Sequence, residues 1–530
     1  MNIYLYEMTN GFKKSAIALI GILVLITISF FVANYKIKSK VKEGIASLPE
    51  HIKLDFQAMD VNSFYGNLSI EKPLLIIYGR TTDSVNASFE MATIQINNLG
   101  YWNALFNDEI DIDEVLLNEL KIRYYHNKKL QDDAFGPSFK KPLDKVFNVG
   151  VFKINSGQIE IIDQETDSLM LKTTDLDFMM DKVVFDDTSI KNKIPFLFND
   201  YGLNSKNFMY QLNTYEDLTA ATVAISNDRW RFNNVKLKTK YSRAELSKIL
   251  YEERDHFDVA VETISFEDTD IGFFNDSIFQ IKSSRVYLKK PQLNIYRDKL
   301  IKDDDTNKWL YSKMLRNVNC NITLNEINIE EGVIIYAEKT KPSHNAGQLK
   351  FSDFNATIKN LGNTYPEPEL TEISIHSVFM ENTLLKIDWT FAVNDENDRF
   401  NFKVDLGSLE ARHLNQFMKP NLNIKLEGEL LKTYFTIDGN NNISKIDLKI
   451  DYEEFDVVVL KDNGQEKNKF LSSVINLVLS KSSQDKHDDF RYGSANDIER
   501  DKTKSIFNFI WLNAKSGLLS AMTGSGEKKN

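Results

Sequence analysis

Apolar and polar residues alternate along most of the chain, which is the pattern of a β-strand with one apolar face and one polar face. In 444–459, Ile446, Leu448 and Ile450 alternate with charged residues. The same alternation recurs at 92–97, 235–238, 259–262, 385–391 and 400–406. Helical candidates are short and lie near 243–254, 306–317 and 411–419. The pattern predicts a mainly β protein with too few helices to cover its apolar faces.

One segment is long enough to cross a membrane. Residues 16–33 carry no charge over 18 positions, which is about the length that spans a bilayer core of ~30 Å. A cleaved signal peptide is the alternative, but its apolar region would be shorter and would end in an A-x-A-like site, which is absent here. The sequence predicts a cytoplasmic stub at 1–14, a transmembrane anchor at 15–35, and export of the long remainder, since long domains translocate largely regardless of flanking charge.

An internal echo divides the β-rich part of the chain. FKINSGQIEIID at 152–163 resembles INIEEGVIIYAE at 327–338, with Gly157 matching Gly332. Each copy is followed by a second short motif, at 175–178 and 353–354. We interpret the echo as duplicated β-modules near 150–180 and 325–355 within one repetitive body at 36–465. A chance match between two β-rich segments is the alternative.

The last part of the chain, 466–530, has a different pattern and is predicted to be helical. On a helix from about 499 to 522, one apolar stripe contains Ile506, Phe507, Ile510, Trp511, Ala514, Leu518 and Met522. Two interpretations stay open. The helix either plugs the end of an apolar groove, or it contacts a membrane or a partner through Phe507, Ile510, Trp511 and Leu518.

Composition and motifs argue against an enzyme. The net charge of −11 argues against a protein that binds a nucleic-acid backbone, and the single Cys320 allows no intrachain disulfide. The seven histidines have no metal-ligand spacing, and no phosphate-binding or nucleophile motif occurs. The acidic run at 303–307 lacks the glycine and the glutamate of a calcium loop. The sequence therefore predicts no catalytic residue, no metal and no cofactor.

The region from 52 to about 125 carries the features of a known family. Its marked positions are a glycine turn, small apolar strand residues and a closing aromatic pair: Gly66, Ala92, Ile94, Ile96, Tyr124 and Tyr125. The β-modules near 152 and 327 and the ending ERDKTKSIFNFIW at 499–511 follow the same architecture. With these features the chain resembles the AsmA-like family of bacterial envelope proteins, in its Bacteroidota-type members.

The resemblance implies an elongated, twisted antiparallel β-groove behind an inner-membrane anchor, with an apolar inner face. It implies a single-pass periplasmic protein that conducts phospholipid between the inner and outer membranes and supports outer-membrane biogenesis. Its partners would be phospholipid, the inner membrane, and the outer membrane or an outer-membrane protein. The two clearest strands supply the candidate groove-lining residues, which are Ile387, Trp389, Phe391, Ile446, Leu448 and Ile450. Alternation alone does not separate this groove from a closed β-sandwich scaffold that assists outer-membrane protein assembly.

Overall fold

The structure is a computed structural model that describes residues 27–79, 84–100, 109–127, 145–192, 194–274, 277–461, 482–483 and 490–524. Residues 27–35 of the predicted anchor fall inside these ranges. The stub at 1–14, residues 15–26 and residues 466–481 of the predicted C-terminal helical segment lie outside the described residues.

The protein is mainly β, and the 26 strands of the described residues belong to one large mixed sheet. Its α-helices are α1 at 27–46, α2 Arg243–Ile249, α3 Tyr311–Arg316, α4 Asn415–Leu422 and α5 Ile506–Thr523. Short 3-10 turns lie at Ser189–Lys191 and Ala411–Leu414. Within the part of the chain that is described, no helix is both long enough and apolar enough to span a membrane.

Contacts divide the chain into two compact units, which we call the first unit (1–210 with 224–226) and the second unit (211–223 with 227–530). The strands of the first unit are β1 Ile52–Asp55, β2 Ala58–Asn62, β3 Asn67–Glu71, β4 Leu74–Tyr78, β5 Val85–Glu90, β6 Thr93–Leu99, β7 Glu109–Asn118, β8 Lys121–His126, β9 Val146–Asp163, β10 Leu169–Phe185 and β11 Tyr201–Gln211.

The second unit holds most of the remaining strands, and β12 has residues in both units. They are β12 Glu216–Ser226, β13 Arg229–Thr239, β14 His256–Glu267, β15 Asp270–Phe274, β16 Ile278–Lys289, β17 Gln292–Asp298, β18 Asn321–Lys339, β19 Gly347–Gly362, β20 Thr371–Phe379, β21 Thr383–Phe391, β22 Phe400–Leu406, β23 Leu409–Glu410, β24 Ile424–Gly439, β25 Ile443–Val459 and β26 Arg491–Glu499.

Some strands pair in parallel, so the expectation of a purely antiparallel sheet is wrong. β7 and β8 both run parallel to β9, and β16 and β17 both run parallel to β18. Parallel neighbours need a long crossover connection, and 127–145 and 299–320 connect these strands. Alternation in the sequence reports only the face of each residue, so it carries no information about strand direction.

The two copies of the internal echo have the same local structure. Ser156 in β9 and Glu331 in β18 each precede the paired glycine, and each has a φ of 54°. The backbone N–H of each donates to a side-chain oxygen in the next strand, at 3.0 Å to Asp177 and at 3.1 Å to Asn355. Both copies also follow a strand pair that lies parallel to them. The echo therefore marks one repeated arrangement of strands.

The left-handed residues Ser156 and Glu331 mark β-bulges, which keep the apolar residues of a long strand on one face. Ile154 and Ile159 stand five positions apart in β9, which would put them on opposite faces of a regular strand. A bulge adds one residue and shifts the alternation by one, so the two side chains share a face. The neighbouring β10 carries its own left-handed residue, Asp175, with a φ of 47°, and its register to β9 shifts there.

Candidate apolar binding face

Strand register lines up apolar side chains of the first unit into continuous rows. One row crosses β3, β6, β7, β9, β10 and β11 through Leu68, Ile96, Val115, Phe152, Met180 and Tyr201. The next row crosses the same strands through Ile70, Ile94, Leu117, Ile154, Phe178 and Leu203. We call these two rows the first-unit apolar face.

The first-unit apolar face is only partly shielded from solvent. Ile70 is buried, whereas the other members, including Ile154 and Phe178, are half-buried. Phe152 and Phe178 pack edge to face with ring centroids 6.4 Å apart. The large buried hydrophobic cluster among the described residues draws its members from 310–522 and includes none of the residues in these rows. The side chains therefore contact one another but keep accessible area on one side.

The opposite face of the same strands is charged. The Nζ of Lys153 lies 2.8 Å from an Oε of Glu114, and the Asn97 amide donates to the other carboxylate oxygen at 2.9 Å. These two hydrogen bonds lower the pKa of the Glu114 carboxyl group. Glu160 forms ion pairs with Arg123 at 3.2 Å and with Lys172 at 3.1 Å. The sheet of the first unit thus has one apolar face, and its opposite face carries charged side chains that form ion pairs.

The second unit has longer rows of the same kind. One row crosses eleven strands through Trp230, Phe266, Val286, Ile327, Ile358, Ile373, Trp389, Phe402, Ile437, Ile446 and Ala495. A second row runs beside it through Phe232, Ile264, Leu288, Ile329, Ala356, Ile375, Ile387, Val404, Phe435, Leu448 and Gly493. At ~4.8 Å per strand, each row extends roughly 48 Å along the sheet.

The predicted lining residues lie in the part of these rows that is covered. Trp389, Phe391, Ile446, Leu448 and Ile450 are buried in the large cluster, and Ile387 packs against it half-buried. The same cluster includes four residues of α5, which are Ile506, Phe509, Ala521 and Met522. The structure therefore brings all six predicted residues together on one face, where α5 packs against β25 and the ring of Tyr311 in α3 lies 5.5 Å from that of Trp389.

The C-terminal helix begins later than the sequence suggested. Residues 491–499 form β26, which pairs with β25, so the segment at 466–530 contains a strand as well as a helix. The hydroxyl of Ser505 then accepts the N–H of Asn508 at 3.4 Å and caps α5. The acidic residues near 499 belong to the strand and the turn before the helix.

The docked face of α5 differs from the predicted stripe. Its centre lies about a quarter turn from that of the predicted stripe, and only Ile506 and Met522 of that stripe are fully buried. The buried residues of α5 are Ile506, Phe509, Asn513, Gly517, Ala521 and Met522. Of the predicted contact residues, Ile510 and Leu518 are partly buried against the cluster. The other two remain exposed, Phe507 at 60% and Trp511 at 46%.

Hydropathy missed this docking face because polar and very small residues make the contact. The hydroxyl of Ser444 donates to Asn513 Oδ1 at 2.9 Å, and the Asn513 amide donates to the Phe509 carbonyl at 2.9 Å. A Cβ on Gly493 in β26 would overlap the carbonyl oxygen of Gly517, so strand and helix backbones approach closely there. The available signal was the spacing of Asn513, Gly517 and Ala521, small or polar residues four positions apart on one helix face.

The described residues contain no group of three or more His, Cys, Asp or Glu side chains that could hold a metal ion. The chemistry that the arrangement offers is burial of apolar ligand surface along continuous rows. No family model matches the chain, and no curated protein matches it.

Proposed function

We propose that the protein is an AsmA-like lipid carrier of the bacterial envelope, anchored in the inner membrane by residues 15–35 with its bulk in the periplasm. Its apolar sheet face would bind phospholipid acyl chains and conduct them between the inner and outer membranes, in support of outer-membrane biogenesis. The observation that carries the proposal is the pair of unbroken, half-buried apolar rows of the first unit, backed by a charged opposite face.

The physical advantage of such a face lies in its continuity. Each methylene kept out of water contributes about 0.8 kcal/mol, so a gap in an apolar row would raise a barrier to a sliding chain. Bulges at the strand breaks support the proposal because they preserve the apolar face across positions where alternation alone would reverse it. Such transfer along the face needs no acid, base or nucleophile.

The C-terminal helix has a separate place in the proposal. Since α5 covers the end of the second-unit rows, it acts first as a plug on the apolar face. The exposed Phe507 and Trp511 suit contact with the outer membrane or a partner, because aromatic side chains favour the membrane–water interface. In this proposal the docked surface of α5 covers the apolar face, and the exposed surface contacts the outer membrane or a partner protein.

Neighbouring residues on opposite faces of β10 provide the test. A photo-crosslinking p-benzoylphenylalanine at Phe178, on the first-unit apolar face, should capture phospholipid in the full-length protein. The same group at Met179, exposed one position later, should capture several-fold less. The readout is mass spectrometry of the crosslinked protein after irradiation in native membranes.

Equal capture at both positions, or capture at neither, would overturn the lipid-carrier proposal. Phe178 would then serve only packing, as in the closed scaffold that the alternation also allows. Circular dichroism of both labelled proteins controls for misfolding.

A further inference from the structure

An exposed aromatic pair occupies the turn between β2 and β3. Phe64 is 74% exposed and Tyr65 is 63% exposed, and their rings meet edge to face at 4.9 Å. Gly66 closes the turn with a φ of 70°, and a Cβ there would lie 2.7 Å from the Leu99 backbone nitrogen. The turn is therefore held in one conformation while its two large side chains remain in solvent.

This turn is tied to helix α1. The backbone N–H of Ser63 donates to Asn34 Oδ1 at 2.7 Å, and Lys38 Nζ lies 3.7 Å from an Asp60 carboxylate oxygen. The two contacts are four residues apart on the helix and three apart on the hairpin. They fix the height of Phe64 and Tyr65 along α1, beside Asn34.

Asn34 marks the point where the apolar run of the chain ends. Residues 16–26, which precede the described part, contain no charge, and the described helix continues the run through Ile28, Phe31 and Val32, all exposed. Beyond Asn34 the helix carries four lysines at alternate positions, which are Lys36, Lys38, Lys40 and Lys42. Because a bilayer core accepts a run of uncharged residues and disfavours charged ones, the change at Asn34 marks where a membrane-spanning helix would leave the apolar core.

We infer that the turn at 63–66 inserts Phe64 and Tyr65 into the membrane–water interface beside the anchor, where phospholipid enters the apolar face. This inference rests on the proposed anchoring of residues 15–35. Aromatic side chains favour the headgroup level, and Asn34 sets that level here. Phe64 and Tyr65 therefore contact the lipid surface, because the uncharged run at 16–33 is 18 residues long and ends beside the turn that carries them.

The same hairpin begins the apolar rows. Val61 of β2 pairs with Leu68 of β3, and Leu68 is the first member of a row of the first-unit apolar face. A phospholipid that leaves the bilayer beside Phe64 therefore meets the row within two rungs of the hairpin. Entry from the membrane and passage along the face are continuous in this arrangement.

The test measures the depth of the turn in a bilayer. The full-length Cys320→Ser protein is labelled with the fluorophore NBD at a single introduced cysteine, at position 64, 31 or 251. It is reconstituted in phosphatidylethanolamine and phosphatidylglycerol vesicles that contain lipid spin-labelled at the headgroup or deep in the chain. Tyr251, an exposed tyrosine of the second unit, is the matched control.

We expect the headgroup label to quench NBD at position 64 more than the deep label does. At position 31, about one turn of α1 below Asn34, the deep label should supply a larger share of the quenching than it does at position 64. At position 251 neither label should quench. The double variant Phe64→Ser with Tyr65→Ser should extract lipid from vesicles about tenfold more slowly, whereas Tyr251→Ser should leave the rate unchanged.

The outcomes separate the inference from the proposed function. Quenching at position 31 without quenching at 64 overturns the interfacial turn and leaves the anchor intact. Absence of quenching at both positions overturns the anchor as well. Quenching at 64 that disappears as the protein density rises assigns the aromatic pair to a second copy of the chain and overturns the inference. An unchanged extraction rate in the double variant overturns the entry role.

Discussion

The first-unit apolar face and the rows at β21–β26 share the alternation of apolar and polar residues, but they differ in what covers them. Ile154 of the first unit is half-buried, whereas Ile446 of the second unit is only 1% exposed. Both lie on strands with a charged opposite face, and both belong to unbroken rows. The difference arises from α5, which packs Phe509 and Met522 against the second set, and from Tyr311 of α3, whose ring lies 5.5 Å from that of Trp389.

The comparison separates two uses of one pattern. Apolar side chains under a helix contribute to folding stability, because they leave water when the protein folds. Apolar side chains that stay half-buried contribute less and remain available to a ligand. Substitutions in the covered rows should therefore change stability, and substitutions in the first unit should change binding.

The largest effect is expected from removing α5. Truncation after Lys504 exposes the cluster that α5 covers, with an expected loss of at least about 5 kcal/mol of unfolding free energy, since several large apolar side chains lose their packing. The truncated protein should aggregate, or should copurify with more lipid than the full-length chain. Urea denaturation and lipid analysis measure the two results. A stable truncated protein with unchanged lipid content and transfer would contradict both roles given to the helix.

A charge placed in each set of rows sharpens the comparison. Leu448→Asp buries a carboxylate under α5 and should lower the unfolding free energy by about 4 kcal/mol or more. Ile154→Asp, on the half-buried face, should cost about 1–2 kcal/mol but reduce lipid capture at Phe178. Denaturation curves and photo-crosslinking distinguish them. Equal destabilisation by the two variants would mean that the first-unit face is a closed core.

Glycine substitutions test the close approach of strand and helix. A Cβ at position 493 would lie 2.8 Å from the Ala521 nitrogen, so Gly493→Ala should cost about 2–3 kcal/mol as α5 is displaced. Gly202→Ala in β11 is the matched control, because a Cβ there would meet no atom within 4 Å. Thermal unfolding measures both variants. Similar melting temperatures for the two would indicate that α5 does not hold this position.

The smallest effect is expected from pH on the charged face. The pKa of Glu114 is lowered by hydrogen bonds from Lys153 and Asn97, so the stabilisation is present above the unfolded carboxyl pKa and disappears as pH falls through the folded value. Lys153→Met should therefore weaken β7–β9 by less than ~1 kcal/mol at pH 7, since the pair is solvent-screened. The difference should shrink as the pH falls below the ordinary glutamate pKa and vanish once the pH is below the lowered pKa of Glu114. Amide hydrogen exchange in β7 and β9 measures it, and a pH-independent difference would contradict this origin.

The sequence by itself determined the class of the fold and, within each uninterrupted strand, the face of each residue. Alternation at 385–391 and 444–459 placed all six candidate residues on one apolar face, because period two is a local property of the backbone. The echo at 152 and 327 likewise indicated a repeated arrangement, because both copies place a glycine directly after the left-handed residue of the bulge. The short helices near 243, 306 and 411 were also visible as local patterns.

Only the tertiary structure decided which part of the apolar face is covered, and by which helix surface. Parallel pairing depends on crossover connections, and the docking of α5 depends on close backbone approach at Gly493 and on the hydrogen bond between Ser444 and Asn513. The hydropathy pattern placed Phe507 and Trp511 in the apolar stripe of the helix, but both side chains remain exposed in the structure. These contacts join residues tens of positions apart, and alternation carries no information about such pairs, because it specifies a face and not its partner.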